Sequence, residues 1–154
     1  MSRVIAAAYS TFQVEPASWR DLGALRSLEK VCFPKDSWPL WDLIGVLTLP
    51  NLIRLRAVVE GEMVGFIAAD IRAQEKTAWI ATLGVLPEQR GRGIGTQLLR
   101  ECEQQIRLPW VRLCVRLSNE EAIRLYQREG YHRDGLWQRY YIDGEDALVM
   151  EKKL

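Results

Sequence analysis

The sequence is poor in the residues that build metal and redox sites, with a single histidine and three cysteines. His132 stands in a polar stretch with no ligand set beside it, so it is read as a surface residue and no metal is expected. Cys32, Cys102 and Cys114 are odd in number and lack the close spacing of a zinc site or a redox pair. Reduced thiols in a cytoplasmic protein are the economical reading. Charge of one sign is missing as well: 21 Lys plus Arg against 20 Asp plus Glu leave a net charge of +1. That balance offers no whole-surface field for nucleic acid or an anionic membrane, so neither is expected as a direct partner and any anion site must be local. Long apolar runs are also lacking. No stretch approaches the roughly 18 residues of a membrane span, and the run from Val4 to Ala8 is shorter than a signal peptide's hydrophobic segment.

What is present is enough apolar material for one core, 48% of 154 residues. Residues 1–154 are expected to form one domain, as a monomer or weak dimer, without linkers or internal repeats. Leu22, Leu25, Leu28 and Cys32 recur at helical spacing until Phe33-Pro34. Ser37-Trp38-Pro39 reads as a cap for a second helix carrying Leu40, Leu43, Ile44 and Leu47. Ile53–Glu60, Met63–Ala73 and Thr77–Leu86 read as consecutive antiparallel strands, the first two joined by a tight hairpin at Glu60-Gly61-Glu62. A polar, glycine-rich turn follows Pro87, and Ile94, Leu98, Leu99, Cys102 and Ile106 then mark a helix. Val111, Leu113, Val115 and Leu117 alternate with Arg112, Cys114 and Arg116, a strand with one apolar and one mixed face. Ser118-Asn119 caps a short helix closed by Gly130, and strands over Tyr131–Ile142 and Ala147–Lys152 are joined at Asp143–Asp146. The order implies an α/β fold with both sheet faces covered.

The turn is where chemistry concentrates. Gly91, Gly93 and Gly95 follow a strand and open a helix, which leaves backbone N–H groups unobstructed at the helix's positive end. Such a turn cradles a phosphate or pyrophosphate, with Arg90 and Arg92 adding charge, although a merely flexible connection has the same composition. Two other nucleotide motifs fail. No Gly-Lys-Ser/Thr run exists for a P-loop, and Leu98 stands where a dinucleotide turn beginning at Gly93 needs its third glycine.

Leu83-Gly84-Val85 leading into Arg90-Gly91-Arg92-Gly93-Ile94-Gly95 resembles the acetyl-CoA motif of GNAT acetyltransferases. Ser118-Asn119-Glu120-Glu121-Ala122-Ile123 with Tyr126, then Glu129-Gly130-Tyr131, is similar to the second half of that domain. Tyr140-Tyr141 and Asp143-Gly144-Glu145-Asp146-Ala147 resemble the C-terminal signature of its N-terminal-amine branch, which includes the ribosomal-protein alanine acetyltransferases. The resemblance covers about Thr11 to Leu154 and implies a GNAT fold, a mixed, mostly antiparallel central sheet flanked by helices on both faces. It further implies acetyl-CoA as donor and a protein or peptide N-terminus as acceptor. The backbone at Leu83 and Val85 then holds the acetyl and pantetheine end, and Arg90, Gly91, Arg92, Gly93, Ile94, Gly95 and Thr96 the pyrophosphate. Asn119 meets the pantetheine arm, Tyr126 lies by the sulfur as the acid, and Phe33, Pro34, Tyr140 and Tyr141 line the acceptor groove. Taken by themselves, Tyr126 and Tyr140-Tyr141 also suit a core stripe and a strand pair, and Trp38 suits packing.

At two positions the chain departs from the family pattern. Cys114 stands where many members of the branch carry a Glu or His base, and Trp79 where some carry a second polar contributor. A thiol with an ordinary pKa near ~8.5 serves as a base only if shifted, and Arg112 and Arg116 on the same strand are the groups placed to lower it. An α-amine has less need of a base: with a pKa near ~7.7–8.0, about a third is neutral at pH ~7.5, against about one lysine in a thousand. Glu29 and Asp36 are the remaining carboxylates near the groove, each expected to be a solvated surface group. Two other functions fit the same residues: a small-molecule amine acetyltransferase, or a CoA-binding sensor or assembly subunit that has lost its chemistry at Cys114.

Overall fold

The structure is a computed structural model that describes residues 11–154, so the Val4–Ala8 run lies outside the described residues. Seven strands form one sheet: β1 Gln13–Pro16, β2 Leu52–Val59, β3 Glu62–Arg72, β4 Thr77–Val85, β5 Trp110–Arg116, β6 His132–Trp137 and β7 Ala147–Lys153. Among the described residues four α-helices accompany them: α1 Leu22–Cys32, α2 Leu40–Thr48, α3 Ile94–Gln105 and α4 Glu120–Arg128. Alternation along β3 explains the layering. Phe66 and Ala68 point to one face and Ile67 and Ala69 to the other, all four buried, so both faces of the sheet must be covered. Leu25 and Leu28 of α1, with Leu43, Val46 and Leu47 of α2, cover Phe66 and Ala68. On the opposite face, Leu98, Leu99 and Cys102 of α3 and Ile123 of α4 pack over Ile67, Ala69 and Ile80.

Strand order is β1-β2-β3-β4-β5-β7-β6. Every pairing is antiparallel except β4 with β5, whose parallel crossover is α3. That one parallel pairing stops early. Its register runs only from Thr77↔Trp110 to Ile80↔Leu113, although β4 continues to Val85 and β5 to Arg116. A bulge marks the place, since Ala68 of β3 faces Thr82 while Ala69 faces Ile80, leaving Ala81 as the extra residue. From there β4 and β5 part and open a cleft in the sheet.

The β2–β3 hairpin turns through Glu60 and Gly61, both at positive φ, as a two-residue turn requires. Two expectations need correction, and one strand was not expected. Ser37 makes no capping bond; Pro39 is the N-cap of α2, and its carbonyl accepts the N–H groups of Asp42 and Leu43. The strand expected over Tyr131–Ile142 ends at Trp137, so Tyr140 and Tyr141 lie in a loop. That loop is fixed by its own bonds, Arg139 N–H to the Asp146 carboxylate at 2.9 Å and Gly144 N–H to the Tyr141 carbonyl at 2.9 Å. Finally, β1 was not foreseen: its four residues are half-buried or exposed and its pairing with β2 is tertiary.

Candidate functional site

The cleft holds two adjoining cavities. The first, of about 550 Å³, lies between the end of β4, the glycine turn and α4, and is lined by Leu83, Val85, Arg90, Gly91, Gly93, Ile94, Gly95, Thr96, Asn119 and Tyr126. Leu86 N–H bonds the Val64 carbonyl of β3 at 2.9 Å. By strand alternation the backbone groups of Leu83 and Val85 therefore point away from β3, into the cleft. The Val85 carbonyl is taken by the Arg90 Nε–H at 2.9 Å and the Cys32 thiol at 3.4 Å. Gly91 and Gly93 both have positive φ, and a Cβ at either would meet no protein atom within 4 Å. Open space thus lies beside backbone that side chains disfavour, next to the first-turn N–H groups of α3, which have no intrahelical acceptor. Arg128 of α4 adds a cation to this wall. Arg92 is not among the lining residues; its guanidinium donates to the Gln89 side chain. Asn119 lines the cavity while its side chain caps α4, accepting the Ala122 N–H at 3.2 Å. A mouth of glycine N–H groups and two arginines at a helix N-terminus has the donor set for a pyrophosphate.

The second cavity, of about 800 Å³, opens on the other side of Tyr126 and is walled by aromatic rings. Trp79, Trp137, Tyr140 and Tyr141 follow one another with ring centroids 5.8, 5.5 and 5.0 Å apart. Trp38 and Cys114 also line it. Phe33 and Tyr126 belong to both cavities, Pro34 to the first alone, and Tyr140 and Tyr141 to the second alone. The junction is further marked by Arg116, whose guanidinium donates to Asp36 at 2.7 Å and Glu145 at 2.8 Å and also to Asp143. It lies 4.2 Å from the centre of the Tyr141 ring. One cation therefore ties β5 to the segment after α1 and to the loop of the paired tyrosines. The Glu145 backbone N–H and then Arg116 hold the Asp143 carboxyl below the ordinary range, and the Ser118 hydroxyl and backbone N–H and then Arg116 do the same for Glu145.

Titration at the junction differs from the expectation for Cys114. Burial pushes its thiol up to about 11, and neither arginine lowers it. Arg112 is engaged with Glu151 at 3.0 Å and Arg116 with its three carboxylates, so the base expected at Cys114 is a protonated thiol at neutral pH. Tyr126 is 7% exposed and burial raises its phenol, so it keeps its proton. Glu29 is a second correction. Far from being solvated, it is 2% exposed and lines the second cavity, on the same α1 stripe as Leu25, Leu28 and Cys32. Arg128, Trp137 and Thr82 were likewise missed: nothing in their local spacing sets them apart, and the tertiary fold brings them to the cleft. The Trp79 indole N–H is buried without a hydrogen-bond partner beside the second cavity. Among the described residues, His132 is exposed, with Nε2 3.5 Å from Glu151, and no cluster suited to a metal ion is found.

Comparison with known proteins agrees with this geometry. The profile of the Acetyltransferase (GNAT) family matches residues 19–131. An uncharacterised N-acetyltransferase of Methanocaldococcus jannaschii is 36% identical over 88% of each chain. The N-alpha-acetyltransferase RimI of Mycobacterium tuberculosis is 37% identical over 76% of each. In fold, the chain superposes on Arabidopsis thaliana NAA60 in complex with acetyl-CoA with a TM-score of 0.82 at 23% identity, covering 94% of this chain and 99% of that one.

Proposed function

The chain belongs to the GNAT acetyltransferase family as an N-acetyltransferase, and we propose that its acceptor is the α-amine of a protein or peptide N-terminus. The observation that carries this reading is the meeting of two cavities at Tyr126, a glycine-and-arginine cradle on one side and an aromatic groove on the other. The cradle fits acetyl-CoA, because its open positive-φ glycines and helix N–H groups suit a pyrophosphate and the cleft-facing backbone of Leu83 and Val85 suits an amide-bearing arm. Acetyl-CoA, when bound, supplies the acetyl group as a thioester. Of the chain's own residues, Arg90, Arg128 and the turn from Gly91 to Thr96 hold the phosphates, while Asn119 fixes the start of α4. Phe33, Tyr140 and Tyr141 shape the entry of the acceptor, and the two tyrosine hydroxyls offer hydrogen bonds to its first peptide units. Tyr126, still protonated, donates to the departing sulfur as the amine attacks directly in a ternary complex.

The relative named for N-alpha-acetylation supports the same acceptor, as does the ionisation argument, since an α-amine is partly neutral without help. Incubation with acetyl-CoA and a library of free-N-terminus peptides, read by mass, is expected to show single acetyl additions at the first residue. Acetylation of small amines with none of any peptide would contradict the proposal.

A further inference from the structure

Burying a carboxylate without a cation is costly, and proteins keep such groups where chemistry uses them. Of the buried acids, Asp21 is paired with Arg56 and Glu151 with Arg112, whereas Glu29 has no ion pair among the described residues. Its partners are two neutral donors: the Thr82 hydroxyl, 3.2 Å from Oε1, and the Trp38 backbone N–H. Glu29 of α1 lines the cavity proposed for the acceptor, as does Cys114 of β5.

We infer that Glu29 is the general base of the transfer, its carboxylate taking the proton that the acceptor ammonium must lose before its nitrogen attacks. This rests on the acyl-transfer reading above, and it supplies the group that Cys114 does not. The steps balance. The ammonium gives one proton to Glu29; its nitrogen lone pair forms the bond to the acetyl carbon as the carbon–sulfur bond breaks. Tyr126 gives its proton to the sulfur and is reprotonated by the second proton that the nitrogen sheds as the amide forms. Glu29 then releases its proton to solvent.

Burial raises the Glu29 carboxyl above the ordinary carboxylate range, toward that of an α-amine, which makes the transfer less uphill. The other charges on this cavity are balanced by neighbours. Asp70 and Arg72 of β3 pair at 2.9 Å, Asp36 pairs with Arg116 of β5 at 2.7 Å, and Lys35 lies 3.9 Å from Asp143. Cys32, one turn along α1, and Cys114 are held protonated by burial, as are Tyr126, Tyr140 and Tyr141.

The test is kcat against pH from 5 to 9, with saturating acetyl-CoA and peptide, for the parent chain, Glu29→Gln and Thr82→Val. The parent is expected to lose rate on the acid side as one group protonates. Glu29→Gln is expected to fall roughly 10²-fold or more and to lack that limb, while melting no lower than the parent. Thr82→Val removes a donor that favours the charged carboxylate, so its acid limb moves to higher pH whatever the height of its plateau. A folded Glu29→Gln enzyme within a few-fold of the parent overturns the assignment, and so does a lowered rate with the limb unmoved. If Glu29→Gln fails to fold, a Thr82→Val profile that superimposes on the parent's overturns it alone. The series is repeated with a small primary amine: turnover of that amine but of no peptide removes the acceptor reading and leaves the Glu29 test running, whereas no turnover with any amine removes both.

Discussion

Under the proposed function Tyr126 serves both packing and chemistry. Its ring belongs to the core beneath α4, in edge contact with Tyr131 at 5.7 Å, while it also lines both cavities. Because burial keeps the phenol protonated, Tyr126→Phe is expected to lower kcat by roughly 10²-fold or more with little change in acetyl-CoA affinity, measured by steady-state kinetics and calorimetry. A full-rate variant removes the acid. Cys114→Ala is the contrasting case. A thiol held at about 11 contributes almost no thiolate at pH ~7.5, so activity should stay within a few-fold, and a folded but dead variant would restore the thiol as base. For Glu29 the sign of the pH effect on stability is also fixed. Its folded pKa is raised, so the native state binds the extra proton; stability is greatest below the unfolded value and declines as pH rises through the folded one. Glu29→Gln should therefore melt no lower than the parent at neutral pH. Glu29 was legible in principle, since it stands four residues after Leu25 on an otherwise apolar stripe. A charged residue there is ordinarily solvated, and only the Trp38 segment and Thr82 folding over it make it buried.

At the scale of elements, the glycine turn is the part most open to a clean substitution. A Cβ at Gly93 meets no protein atom, so Gly93→Val costs the folded protein backbone strain, about 1–3 kcal/mol, and otherwise fills the space proposed for the pyrophosphate. Acetyl-CoA affinity is expected to vanish by calorimetry while the domain still unfolds cooperatively. Gly61→Val, at a similar φ in the β2–β3 hairpin, carries comparable strain and should bind normally. Equal affinity in the two variants would show that the cradle lies elsewhere. The helices and the β2–β3–β4 meander were readable from sequence because period and turn chemistry are local, as with Leu22, Leu25 and Leu28 or Glu60-Gly61. The strand expected through Tyr140-Tyr141 failed for the opposite reason. Its residues suit a strand, but the Glu145 carbonyl and the Asp146 carboxylate turn the segment back on itself by accepting the Tyr141 and Arg139 N–H groups, and Arg116 of β5, distant in sequence, holds Glu145 in place. Arg116→Gln should accordingly loosen that loop and raise the KM of a peptide acceptor roughly 10-fold, on the scale of one lost charged hydrogen bond, with a smaller effect on the KM of acetyl-CoA. Unchanged KM values would mean that the loop shapes no acceptor contact. Because the carboxyls of Asp143 and Glu145 are lowered, this tie holds above the ordinary carboxylate range and is lost as pH falls through their folded values.

Over the whole molecule, the early end of the β4–β5 pairing is what produces the cleft. The bulge at Ala81 turns β4 away after Ile80, and the cleft admits the glycine turn from one side and the aromatic loop from the other. In the proposed reading donor and acceptor approach from opposite sides and meet at Tyr126, and the transfer is direct. The sequence carried the proposed cradle openly in its three glycines, whereas the second cavity, proposed for the acceptor, is assembled from α1, β3, β4, β5, α4, β6 and the loop before β7, so its residues are scattered along the chain. The most direct test of α-amine acetylation uses two peptides identical except that one has its N-terminus blocked, each with an internal lysine, incubated with the chain and acetyl-CoA and read by mass with fragment assignment. The account predicts acetylation of the free peptide at its first residue and almost none of the blocked one; equal acetylation of both, at the lysine, would contradict it.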